Sequence, residues 1–170
     1  MTCFSLKAGR QACFFLMLCA LITAHAQNKG VALQFDLPKL DGSSLNRLSD
    51  LPSTVVVVNF WRSDCPPCVE EMHLLNLQAQ QLPAVKFIGI ATEEAAKAKR
   101  FLARHPSGYL QLGAPLASEG LMRRFGNKTG ALPYTAVLNP QRQLCQTKTG
   151  LLDAHWLAQA LSACSAKDKH

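Results

Sequence analysis

The chain has 170 residues, 48% of them hydrophobic, and a formal net charge of +7 from 18 Lys and Arg against 11 Asp and Glu. That is one domain's length, enough to bury a core without staples. The basic excess, which includes Lys97, Lys99, Arg100, Arg104, Arg123, Arg124 and Lys128, is scattered along helical stretches with few interleaved aromatics. This is the pattern of a solvated face and argues against nucleic-acid binding.

The first element reads as a segment lost before folding. Lys7 and Arg10 precede an apolar stretch of about 13 residues, 12–24, which ends in the small-x-small site Ala24-His25-Ala26. A membrane-spanning helix needs about 20 apolar residues, so the pattern predicts a cleaved secretory signal peptide over 1–26 and a single domain over 27–170. Leu18 before Cys19 is too bulky for a lipid-attachment site. Cleavage takes Cys3, Cys13 and Cys19 from the seven cysteines and leaves Cys65, Cys68, Cys145 and Cys164. An even number in an exported chain permits two disulfides. Loss of Lys7 and Arg10 lowers the net charge from +7 to +5.

Along the remaining chain, two alternating stretches at 32–35 and 44–48 flank Asp41-Gly42 and predict a leading hairpin. Residues 54–60 (TVVVVNF) form a β-branched run typical of a strand buried on both faces. Cys68, Met72, Leu75, Ala79 and Leu82 recur at helical spacing, and Pro83 ends that helix. A second buried strand is predicted over 85–91, then a helix over 93–105 with acidic residues first and basic ones last, and a short helix over 118–125 ended by Gly126. Residues 134–139 and 143–148, joined by the turn Asn139-Pro140-Gln141-Arg142, predict a second hairpin, and Asp153 caps a last helix over 154–163. The order describes an α/β fold: a mixed central sheet covered on both faces by helices.

Cys65-Pro66-Pro67-Cys68 falls where the first buried strand hands over to a helix. Unpaired N–H groups and the macrodipole at a helix start favour an anion, so Cys65 is placed to be a nucleophilic thiolate, with Cys68 one turn inside as its resolving partner. Prolines suit the opening of a helix, where a missing N–H costs nothing. A zinc site would need a second Cys or His pair at ligand spacing, which Cys145 and Cys164, standing alone, do not supply. Copper(I) bound by the two thiolates and a permanently closed structural disulfide are the other readings of this pair. Pro133 precedes a strand, and its residue context alone leaves an ordinary trans proline as the default. Cys145, on the last strand, and Cys164, late in the last helix, can pair, closing a loop of about 20 residues that contributes around 3 kcal/mol in the chain-entropy view. An inert buried thiol at 145 and a free thiol at 164 are the alternatives.

The chain over about 31–163 resembles the thioredoxin superfamily, and most closely its exported TlpA/ResA-like thiol–disulfide oxidoreductases. The resemblance rests on several features taken together: the hairpin with Asp41-Gly42, residues 55–61 running into Cys65-Pro66-Pro67-Cys68, and Glu71 three residues on. It also rests on the helix-containing insertion after the second buried strand and on Gly130-Ala131-Leu132-Pro133-Tyr134-Thr135. It implies a thioredoxin-like fold and a periplasmic oxidoreductase in which Cys65 attacks and Cys68 resolves. Glu71 would handle protons, and Pro133 would be a cis-proline, with Leu132, Pro133 and Trp61 as the substrate-binding set. It implies no dissociable cofactor, a monomer, and protein thiol or disulfide substrates, with apocytochrome c and copper-delivery proteins as candidate clients and a membrane electron donor of DsbD type. An oxidase or isomerase on the same fold, and a copper(I)-binding module, are the rival functions. Two positions depart from the family pattern. Asp64 stands where tryptophan is usual, so its carboxylate either opposes the Cys65 thiolate or caps the helix with Arg62 offsetting its charge. His73 replaces a helix-kinking proline and reads as an exposed helix residue.

Overall fold

The computed structural model describes residues 30–166. The expected signal peptide, with Cys3, Cys13 and Cys19, lies outside them. The fold is organised by β3 (Val56–Trp61), whose six residues are all buried. Period-two alternation sends Val56, Val58 and Phe60 into one core layer and Val57 into another. Such a strand is stable only with cover on both sides, and the chain supplies it.

β3 pairs in parallel with β4 (Lys86–Ala91), and β4 in parallel with β5 (Leu110–Gly113). On its other side β3 pairs antiparallel with β6 (Tyr134–Leu138), and β6 with β7 (Leu144–Thr149), giving the order β5-β4-β3-β6-β7. One face is covered by the N-terminal segment and α3 (Ser118–Arg124), through Phe35, Leu37, Leu121, Met122 and Phe125. The other is covered by α1 (Pro66–Gln81) and α4 (Ala154–Ala166), through Leu75, Leu157 and Ala160. At the end of β3, Trp61, Cys68 and Met72 join Ala98 and Phe101 of α2 (Ala95–Arg104) in a third cluster. Asp153 caps α4, accepting from Trp156 N–H at 2.8 Å.

Three expectations are corrected. The leading hairpin pairs β1 (Asp36–Pro38) with β2 (Leu45–Arg47), not 32–35 with 44–48. Gly42, at φ 76°, closes a turn through its N–H to Lys39 O, so the partners are the residues next to that turn, while Ala32 bridges Gln143 in the far hairpin. The alternation continues from 32 through 38, and alternation alone does not choose between these registers. β5 was not expected, because four residues ending in glycine carry almost no periodic signal. Helix α2 begins at Ala95 with no acidic residue in its first turn, because Glu93 stays outside the helix with its carboxylate turned toward Ser63.

Gly89 has a specific duty here. It lies in register with Gln111, whose Oε1 accepts from Trp61 Nε1 at 2.9 Å and whose Nε2 donates to Ser107 Oγ at 2.8 Å. A Cβ on Gly89 would sit 2.1 Å from Gln111 Oε1. Gly89→Ala is therefore expected to displace Gln111, leave the buried indole N–H unpaired and lower the unfolding free energy by about 1–3 kcal/mol, read by denaturant titration.

Candidate active site

β3, β4 and β5 run parallel, so Trp61, Ala91 and Gly113 end along one edge of the sheet. β6 is antiparallel to β3, with Phe60 opposite Tyr134, and so starts at the same edge. The loop into α1 and the loop into β6 therefore meet there, at the carboxyl ends of the parallel strands.

Cys65 is the N-cap of α1, with extended backbone (φ −116°, ψ 96°), and Pro66 and Pro67 open the helix. The Cys65 Sγ accepts from Cys68 N–H at 3.3 Å, occupying one of the donors a helix start leaves free. Cys65 and Cys68 form a disulfide with a Cα–Cα distance of 5.2 Å. The two sulfurs differ in access: Cys65 is half-buried and Cys68 has no exposed surface.

On the facing loop the Leu132–Pro133 peptide bond is cis. Asn127 holds this loop: its Nδ2 donates to Ala131 O at 2.8 Å, and its Oδ1 accepts from Gly130 N–H at 2.9 Å. Gly130 takes φ 76°, a backbone that side chains disfavour. Pro133 is buried and its carbonyl accepts from Gly150 N–H at 2.9 Å, whereas the N–H and C=O of Leu132 have no partner among the described residues. The Leu132 side chain packs against the cluster that contains Trp61 and Cys68.

Glu71 lies one turn beyond Cys68 and is fully buried. It accepts from Asn59 Nδ2, from Thr135 Oγ1 at 3.4 Å and from Leu152 N–H at 3.2 Å, so a single carboxylate joins α1 to β3, β6 and the segment before α4. Burial pushes its pKa up to about 7, with the three hydrogen bonds pulling the other way. The sequence marked the position but carried only a faint sign of its burial: Asn59 directly after the valine run, and Thr135, which the fold places opposite it in register.

Asp64 does not cap the helix; Cys65 does. The Asp64 carboxylate instead pairs with Arg62 at 3.0 Å and Lys97 at 2.7 Å, which hold its pKa down to about 2. Lys97 also meets Glu93 at 3.0 Å, and Glu93 accepts from Ser63 N–H at 2.7 Å and Ser63 Oγ–H at 2.9 Å. Glu93 and Lys97 are part of this site and were missed from the sequence, where their i,i+4 spacing was the only hint.

Trp61, expected in the substrate-binding set, lies under the surface: its side chain has no exposed area, its N–H is spent on Gln111, and it packs on Phe101 with ring centroids 5.6 Å apart. His73 is exposed on α1. Cys145 and Cys164 are joined by a disulfide with a Cα–Cα distance of 5.8 Å, linking β7 to α4 in a cluster separate from the one that holds Trp61.

A dithiol capping a helix at the carboxyl edge of a mixed sheet, beside a cis-proline loop, defines a thioredoxin-fold protein. The chain belongs to the Redoxin family, which it matches over residues 26–159. It is 30% identical over 123 residues to the thiol-disulfide oxidoreductase ResA of Halalkalibacterium halodurans, covering 70% of this chain and 66% of that protein, slightly under two thirds of its length. A thioredoxin-related protein of Neisseria meningitidis serogroup B superposes with a TM-score of 0.68 at 29% identity, covering 76% of this chain and 98% of that one. A Chlorobium tepidum protein assigned as thiol:disulfide interchange protein DsbE shares the fold, with a TM-score of 0.70 at 22% identity, covering 79% of this chain and 95% of that one. Within the thioredoxin superfamily the chain is TlpA/ResA-like.

The Glu71 titration has a measurable consequence. Its pKa rises from 4.5 to about 7, so the folded state binds its proton more tightly than the unfolded state does. Stability therefore falls as pH rises through that window and levels off above it. The shift corresponds to about 3 kcal/mol. Denaturant unfolding of the wild type and of Glu71→Gln across this pH range should show the wild type losing about that much relative to the variant; parallel curves would contradict the assignment.

Proposed function

We propose that this protein is an exported, periplasmic thiol–disulfide oxidoreductase that reduces specific protein disulfides through Cys65 and Cys68. The observation that carries this reading is the asymmetry of the pair: a half-buried sulfur at a helix N-cap, bonded to a fully buried one a single turn inside. In the reduced enzyme the Cys65 thiolate attacks a client disulfide, forming a mixed disulfide and releasing one client thiolate. Cys68 then loses its proton and attacks the Cys65 sulfur, releasing the second client thiolate. Two electrons pass to the client and the Cys65–Cys68 disulfide forms. The dithiol carries the electrons itself, without a dissociable cofactor.

Glu71 serves as the proton acceptor for the buried thiol, a role suited to a carboxylate whose pKa stands at about 7. The unpaired backbone of Leu132 offers a donor and an acceptor to an extended client segment, which would align a client disulfide over Cys65. A membrane donor of DsbD type would return the electrons, and apocytochrome c or the thiols of copper-delivery proteins would be the clients.

The test is direct. Cys65→Ser should abolish disulfide reduction, while Cys68→Ser should accumulate a mixed disulfide at Cys65 that mass spectrometry detects. A reduction potential near the −270 mV or so of thioredoxin supports the reductive direction, and one near about −120 mV overturns it in favour of an oxidase.

A further inference from the structure

We propose that Lys97 and Glu93 are positioning residues for the dithiol: they fix the Ser63–Asp64 loop and cancel the Asp64 charge, and so set how readily Cys65 gives up its proton. The inference rests on Cys65 being the attacking thiol, as proposed above.

Two separate contacts support it. Glu93 lies in the turn after β4 with its side chain only 4% exposed, and both of its oxygens are engaged by Ser63, through the N–H and the hydroxyl. That fastens the chain two residues before Cys65 to the neighbouring parallel strand. Lys97, on the first turn of α2, then bridges Glu93 and Asp64. A buried carboxylate that is fully hydrogen-bonded and ion-paired is a tolerable burial, whereas one that loses its cation is not.

The charge balance follows from the same contacts. Arg62 and Lys97 carry two positive charges, and Asp64 and Glu93 two negative ones, so the quartet built around the residue before Cys65 is neutral. Other charged groups on the elements that meet at this end of the sheet include Glu70 and Glu71 on α1, Glu94 at the α2 N-cap and Lys128 in the loop before β6. Residues 131–133 of the facing loop carry no charge. A carboxylate adjoining the sulfur, about 6 Å away, would by itself raise the thiol pKa by around half a unit in water. With Lys97 and Arg62 in place that opposition is offset, and the helix N-terminus is left to favour the thiolate.

The experiment is a pH titration of the reduced protein by its iodoacetamide alkylation rate, with mass spectrometry locating the label on Cys65. Asp64→Asn leaves a net positive charge and should lower the Cys65 pKa by about half a unit, close to a threefold gain in thiolate below the pKa. Lys97→Met leaves a net negative charge and should raise it. The double variant is neutral again and should return to the wild-type value, and Lys97→Arg should keep it. Single variants that shift together, or not at all, or a double variant that fails to return, would overturn the inference. A purely structural role for Lys97 predicts lower melting temperatures without opposed shifts. The titration needs no client, so shifts of the expected sign in a protein that reduces no disulfide would leave this inference standing and remove the proposed function instead.

Discussion

The site depends on one buried carboxylate. Glu71 is the only acidic side chain among the described residues with no exposed surface, and it ties the helix that carries the dithiol to the two central strands and to the segment before α4. Taking a carboxylate out of water is costly unless hydrogen bonds replace the lost solvent, and Asn59, Thr135 and the Leu152 amide do this. Asn59 donates its amide N–H to Glu71, and its own Oδ1 is buried without a partner. The same Nδ2 also donates to Thr135 Oγ1 at 3.1 Å, so two acceptors hold the amide in this orientation.

Around the first sulfur the solution is different. Glu71 is buried, and its three hydrogen bonds offset only part of the lost solvation, which keeps its pKa near neutrality, whereas Asp64 is exposed and paired with two cations, which keeps it ionised. Two carboxylates within one turn of the dithiol are thus driven to opposite ends of the carboxylate range by burial and by pairing. The outer one remains a fixed charge and the inner one becomes a titrating group.

The helix start at Cys65-Pro66-Pro67, the β3 run and the closing hairpin were legible because each is written locally: prolines that only a helix opening tolerates, a valine run, a turn between two strands. What could not be read was set by contacts distant in sequence. Whether Glu71 is buried depends on Asn59 and Thr135 lying in register across two strands, and whether Asp64 opposes the sulfur depends on Lys97, more than thirty residues away. Trp61 entered the substrate-binding set only through the family resemblance; the alternation of β3 turns it inward beside Cys68, where Gln111 takes its N–H. The hairpin register slipped for a simpler reason, since alternation running continuously from 32 to 38 does not say which residues face the turn.

The unequal burial of the two sulfurs also constrains the order of events. Of the two sulfurs only Cys65 is reachable from outside, so in the proposed reaction a client disulfide would meet it first and Cys68 would act on the Cys65 sulfur already beside it. An anion forming at Cys68 would lie in an apolar cluster one helical turn from Glu71, and two negative charges in a poorly screened interior repel each other. Under the proposed role of Glu71 the Cys68 proton would leave at lowest cost when that carboxylate can receive it, with Glu71 ionised beforehand and protonated afterwards. A group with its pKa at about 7 is poised between those states at neutral pH, whereas an exposed glutamate, always ionised there, would offer no such exchange.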